Sequence, residues 1–112
     1  MAAVVVMDEC LLIHPGEILK EEFLVPHGLN ANRLAIRLGV PPNAITAIIN
    51  GTRGVSGSMS ILLGHAFGVS DEFFANIQTR YELDVAALEA ATDATAAERL
   101  QRADELAREL SS

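Results

Sequence analysis

The apolar positions of this chain recur at steps of three and four, in short runs broken by Gly, Pro, Asn and Ser. That is the pattern of amphipathic helices rather than of strands. Two such runs stand close together between Ala31 and Asn50. Leu34, Ala35 and Leu38 share one helical face in the first, and Ile45, Ile48 and Ile49 share one in the second. Gly39 stands where the first run must stop and turn, a place that favours a positive φ. Pro42 suits the first turn of a new helix, and its ring pushes Pro41 into the extended geometry of an N-cap. The small Ala35 lets the two helices pack closely. The pattern predicts a helix-turn-helix over Ala31–Leu38 and Pro42–Ile49, with the second helix a candidate probe of a DNA major groove.

Around this pair the same logic predicts further helices. A first helix begins near Pro15 and runs to Leu24, with Ile18, Leu19 and Phe23 turned inward and Pro26 and Gly28 as its stop. Asn30 caps the second helix. Asn50-Gly51 closes the third, and Thr52-Arg53-Gly54 forms a loop. Ser56 caps a fourth helix over Gly57–Phe67, with Met59, Leu62, Leu63, Ala66 and Phe67 inward. Ser70 caps a fifth, with Asp71 and Glu72 in its first turn and an apolar stripe of Phe74, Ile77, Tyr81, Val85 and Leu88. A capping box at Thr95–Glu98 opens a sixth, whose seam is Leu100, Ala103, Ala107 and Leu110. That seam is too short for a stable isolated coiled coil and must dock on its own domain or on another copy. Residues 1–13 form an N-terminal arm with three open readings: partial disorder, an edge strand, or a partner contact. A short strand at Val4–Met7 or Leu11–Ile13 is the one departure from helix. The expected domains are this arm, a helical domain over 14–91 and a C-terminal helical extension over 92–112.

Composition narrows the class. With 112 residues, half of them hydrophobic and none of them Trp, the chain supports one domain, or one domain plus an appendage, with an aliphatic core. Cys10 is the single cysteine, so no intrachain disulfide and no cysteine-based zinc site is available. No apolar run reaches membrane-span length, no secretory leader is evident, and a cytoplasmic location is expected.

The net charge of −7 argues at first against nucleic acid, but its distribution reverses that. Residues 1–22 carry −4 and residues 71–112 carry −6, while Phe23 to Ser70 holds no acid, only Arg33, Arg37 and Arg53. A surface that meets DNA must avoid carboxylates, which repel phosphates. The acid-free window contains the helix-turn-helix.

The candidate DNA-binding residues follow from that placement. Asn43 is the best base reader, because an amide can bond the N6/N7 edge of adenine at two points. Thr46 and Ala47, one turn on, suit a thymine methyl. Arg53 is a phosphate candidate, as are Asn32 and Arg33 in the first turn of the helix before. Pro42, Ala44, Asn50 and Thr52 complete the surface. Arg37 is as well suited to an internal acid. Six arginines in a dimer would set a log–log salt slope of roughly −5 at most. His14, His27 and His65 lack metal-ligand spacing, and His14 is expected to set the first helix. No catalytic constellation, cofactor motif or metal motif is present, so no enzyme, cofactor or metal is expected.

A family resemblance adds to this. It is carried by His14-Pro-Gly-Glu-Ile-Leu19, Glu22-Phe23-Leu24, Gly28-Leu29, Leu34-Ala35, Leu38-Gly39-Val40, Ile48-Ile49-Asn50-Gly51 and Arg53-Gly54. Phe73-Phe74-Ala75-Asn76-Ile77-Gln78 and Tyr81-Glu82-Leu83 complete it. From His14 to about Ala91 the chain resembles the Cro/C1-type (XRE) helix-turn-helix family, and most of all its HigA-type, VapI-like antitoxin branch. The resemblance implies an all-α, five-helix Cro/C1 (lambda-repressor-like) domain, here with an additional C-terminal helix. It also implies a homodimer that binds double-stranded operator DNA, represses its own operon and neutralises a cognate basic toxin, a RelE/HigB-like mRNA endonuclease. The chain departs from the family at Ala31, where Gln is frequent, and at Pro41, where Ser or Thr is usual. Long polar residues usual at Pro42 or Asn43 are also missing. These departures imply a thinner phosphate grip and base readout. They leave open an alternative: a protein-interaction module or stand-alone regulator with weak or lost operator binding.

Overall fold

The computed structural model describes residues 12–111. Most of the expected arm lies outside them, including Cys10, Leu11 and the possible strand at Val4–Met7. Leu12 and Ile13 precede the first helix with no strand geometry. Among the described residues every regular element is helical. The helices are numbered α1 to α6 in chain order.

α1 begins as an α-helix at Pro15–Ile18, widens into a π-helix at Leu19–Leu24 and tightens into a 3₁₀ turn at Val25–His27. The His14 imidazole caps it, Nδ1 accepting the Gly16 N–H at 2.9 Å. The π winding corrects the simple helical expectation. It places a residue over the one five positions on, so Leu19 and Leu24 are both buried while Ile18 and Phe23 are only half-buried.

α2 (Ala31–Leu38) and α3 (Pro42–Ile49) have the expected bounds. Asn30 Oδ1 accepts the Arg33 N–H at 2.8 Å and caps α2. Gly39, at φ 73°, ends it. There the Val40 N–H reaches Ala35 O at 3.0 Å and the Gly39 N–H reaches Ile36 O at 3.2 Å, the paired bonds of a Schellman turn. Pro41 is extended, at φ −61° and ψ 141°, and offers no side-chain cap to α3.

α2 and α1 both pack on α3. The approach of α1 depends on Gly16, where a β-carbon would lie 1.9 Å from the Ile48 carbonyl oxygen. No side chain fits in that gap.

α4 (Gly57–Phe67) is capped by Ser56 Oγ, which accepts the Met59 N–H at 3.2 Å. Its buried positions are Ser60, Leu63 and Gly64. Of the expected inward face, Leu63 is buried, Met59 and Phe67 are half-buried against the core and Leu62 is half-buried, while Ala66 is exposed, which corrects its place there. Ser60 is buried because both of its hydrogen-bonding roles are filled. Its hydroxyl donates to Asp71 O at 2.6 Å and accepts the Ala75 N–H at 2.9 Å. α5 (Phe73–Thr92) starts later than expected, at Phe73 rather than in the turn at Ser70, and Asp71 instead faces His65 at 3.3 Å.

The chain forms two compact units, the first ending at Tyr81 and the second beginning at Glu82. The core of the first is Leu19, Leu24, Leu34, Ala35, Ile45, Ile48, Val55, Leu63 and Phe74. Phe23 is the hub of an aromatic cluster, its ring centroid 5.0 Å from Phe67, 5.8 Å from Phe73 and 5.3 Å from Phe74. In the second unit, α6 (Ala94–Leu110) is capped by Asp93, whose carboxylate accepts the Thr95 N–H at 3.1 Å. The cap therefore lies two residues before the expected Thr95. No residue of α6 is buried, and Leu100, Leu106 and Leu110 are 55, 53 and 77% exposed.

Candidate nucleic-acid interface

The inner face of α3 is fully used. Ala44, Ile45 and Ile48 are buried in the first unit. Those positions orient the helix, because burying them leaves Asn43, Thr46, Ala47 and Asn50 to share the opposite side at steps of three and four. Asn43, Thr46 and Asn50 are exposed there, and Ala47 is half-buried. Ala44 belongs to the other side. It is 9% exposed, on the packed side of the helix rather than among the outward residues.

Backbone and hydroxyl bonds shape the edge of this surface. The Thr46 hydroxyl donates to Pro42 O at 3.1 Å, leaving its lone pairs outward. The Ala47 carbonyl gathers the following loop: it accepts the Thr52 N–H at 3.0 Å, the Arg53 N–H at 3.2 Å and the Thr52 hydroxyl at 3.2 Å. Thr52 and Arg53 are thereby drawn back against the helix they follow, and both are exposed. Gly51, at φ 78°, makes that reversal. Pro42 is exposed at the tip of α3. Asn32 and Arg33 are exposed on the first turn of α2, a separate element that packs on α3.

The electrostatics follow the sequence. No carboxylate side chain lies between Phe23 and Ser70. Among the described residues Arg33, Arg37 and Arg53 take part in no ion pair, so none of the acids described there holds Arg37. The described residues also hold no cluster of three or more His, Cys, Asp or Glu suited to a metal. Among them no helix is long and apolar enough to cross a membrane.

One residue absent from the expected set matters here. Gln78, on α5, accepts the Val55 N–H at 2.8 Å and so reaches the far end of the loop that carries Arg53. The sequence holds no local signal for this contact, since 23 residues separate its partners.

A helix packed by its inner face against two others, with small polar groups outward and no carboxylate between Phe23 and Ser70, defines a helix-turn-helix protein of the DNA-binding class. Comparison with known proteins narrows this. A helix-turn-helix family model matches residues 19–74. The virulence-associated protein I of Dichelobacter nodosus is 42% identical over 79 residues, 70% of this chain and 73% of that protein. Antitoxin HigA-1 of Vibrio cholerae is 42% identical over 69 residues, 61% of this chain and 64% of its own length. The solved structure of Pseudomonas aeruginosa antitoxin HigA with the higBA promoter superposes with a TM-score of 0.69 at 38% identity, covering 72% of this chain and 89% of that one. The protein belongs to the Cro/C1-type helix-turn-helix family, in its HigA-type, VapI-like antitoxin branch.

Proposed function

We propose that this protein is the antitoxin of a type II toxin–antitoxin pair and a repressor of its own operon. The observation that carries the reading is the exposed, carboxylate-free surface of α3 and its following loop, on a fold shared with a HigA antitoxin solved with promoter DNA. Asn43 reads a base edge, Thr46 and Ala47 meet a thymine methyl, and Asn50 and Thr52 border them. Arg53, with Asn32 and Arg33 from α2, holds phosphates on either side, and Pro42 sits at the tip. We assign no catalytic role to any of these residues.

The protein acts as a homodimer in the cytoplasm. α5 and the α6 seam of Leu100, Ala103, Ala107 and Leu110 are the candidate dimer surfaces. Two-fold symmetry then requires a palindromic operator with half-sites about 34–36 Å apart, or a multiple of that. The acidic surface outside the DNA window suits a basic, RNA-cleaving toxin of the RelE/HigB kind, by charge complementarity.

A shift titration on the DNA upstream of its own reading frame, with pull-down of a small basic protein encoded beside it, tests both halves. A specific complex weakened by Asn43→Ala and Arg53→Ala is the expected result. Absence of any specific complex at low salt would refute the repressor half. A second reading rests on the tip of α3, where Pro41 gives no side-chain cap and Asn43 stands as the main polar group. Toxin capture without an operator shift would favour that reading, an interaction module with lost operator binding. Sedimentation of a chain truncated after Ala91 tests α6: a monomer is expected if the seam pairs, and an unchanged dimer removes it from the interface.

A further inference from the structure

The loop that carries Arg53 is held from both sides. On one side the Ala47 carbonyl takes the Thr52 and Arg53 N–H groups, at 3.0 and 3.2 Å. On the other, Gln78 Oε1 takes the Val55 N–H at 2.8 Å. Val55 is 7% exposed, so its N–H has to find a partner within the protein. That N–H also settles which end of the amide faces the loop, since it requires an oxygen. Gly54 lies directly against the same amide. A β-carbon there would stand 2.8 Å from both Gln78 Oε1 and Nε2. Arg53 thus sits between two anchors on a backbone with little freedom, while its side chain is exposed.

We infer that Gln78 is a positioning residue for DNA binding: it sets the loop from residue 52 to 55 so that the Arg53 guanidinium meets a phosphate oxygen without further ordering of the backbone. The inference rests on the assignment of Arg53 as a phosphate contact. Its physical basis is conformational entropy. Fixing a free loop at the moment of binding costs affinity, whereas a loop fixed during folding carries that cost beforehand. Gln78 touches no DNA in this scheme. It acts through the Val55 N–H and the close fit of Gly54, and the effect appears at Arg53.

A double-mutant cycle on the full chain tests this, with a duplex carrying the chain's own upstream region titrated at several KCl concentrations. Arg53→Ala is expected to weaken binding about 10-fold at low salt and to flatten the salt slope by about 1 per subunit. Gln78→Met keeps the side-chain length but removes the acceptor. It is expected to weaken binding about 5-fold in the parent and less than about 1.5-fold in the Arg53→Ala background. Amide exchange at Val55 is expected to speed up in Gln78→Met and not in Arg53→Ala. Gly54→Ala, which crowds the same amide, provides a second variant with the same expected lack of additivity.

An Arg53→Ala protein that binds as the parent does would overturn the phosphate assignment and this inference with it. A normal Arg53 effect with a full, additive loss for Gln78→Met and Gly54→Ala would overturn the inference alone. It would show that Gln78 supports the fold generally rather than the arginine.

Discussion

α3 and α6 both carry apolar residues at helical spacing, yet the protein treats them in opposite ways. α3 buries Ala44, Ile45 and Ile48 within eight residues, whereas α6 has seventeen residues and buries none. Periodicity alone does not separate them. The neighbours do. α1 and α2 meet α3 closely, and Gly16 lets one backbone touch another at Ile48. In α6 every residue from Glu98 to Leu110 is exposed. At seventeen residues α6 is only slightly longer than the roughly 12–15 below which an isolated helix is marginal in water. The Asp93 cap, the Ala-, Leu-, Glu- and Arg-rich composition and the weak, exposed Glu98–Arg102 pair at 3.9 Å all favour it. The lesson is that an amphipathic pattern marks a surface able to be buried, while the chain's other elements decide whether it is.

Substitutions can break or sharpen this contrast, and the largest effect is expected in the buried helix. Ile45→Ala should lower unfolding free energy by about 4 kcal/mol in denaturant titration, since its side chain is fully buried. The paired change Leu106→Ala in α6 should stay within about 0.5 kcal/mol for the monomer. An equal cost at both sites would erase the distinction. Gly16→Ala comes next, at about 3 kcal/mol, because the clash is with the Ile48 backbone and cannot be relieved by a rotamer change. A stable, fully folded Gly16→Ala protein would show that α1 does not need that close approach.

Asp93→Ala should cost about 1 kcal/mol and appear as lost helicity by circular dichroism at α6, leaving the melting of the first unit in place. The smallest effect is expected from acid, through His14. Burial lowers its pKa below the usual histidine value, with Glu17 opposing the shift. The neutral ring is the form that accepts the Gly16 N–H. The unfolded chain therefore binds the proton more readily than the folded one. Stability from this group is complete above the unfolded value of about 6.5 and falls as pH drops from there towards the lowered folded value. Melts at pH 7.5 and 5.5 should show a smaller acid loss for His14→Asn than for the parent. An equal loss would remove His14 as the cause.

Much of the fold was legible locally. Asn30, Ser56, Gly39 and Pro42 punctuate α2, α3 and α4, whose bounds match the expectation because caps and turns act within a few residues. The π winding at Leu19–Leu24 was not legible, since it serves the simultaneous burial of Leu19 and Leu24 against other elements. The later start of α5 follows from Ser60, whose hydroxyl holds Asp71 O and the Ala75 N–H from another helix. The cap at Asp93 is a local signal two residues ahead of the Thr95–Glu98 pattern that mimics it. At the candidate interface the outer face of α3 could be read from the helical period. The inward place of Ala44 and the reach of Gln78 could not.

The sequence by itself determined the helices around the turn at Gly39, the aliphatic character of the core, the acid-free window and the family's motifs. Each depends on residue type and short spacing, which the chain states directly. Only the tertiary structure decided which apolar stripes are covered, where Ala44 points, and that Gln78 and Ala47 hold the Arg53 loop from opposite sides. Those outcomes depend on contacts between residues far apart in sequence, and only the packed arrangement specifies which groups meet.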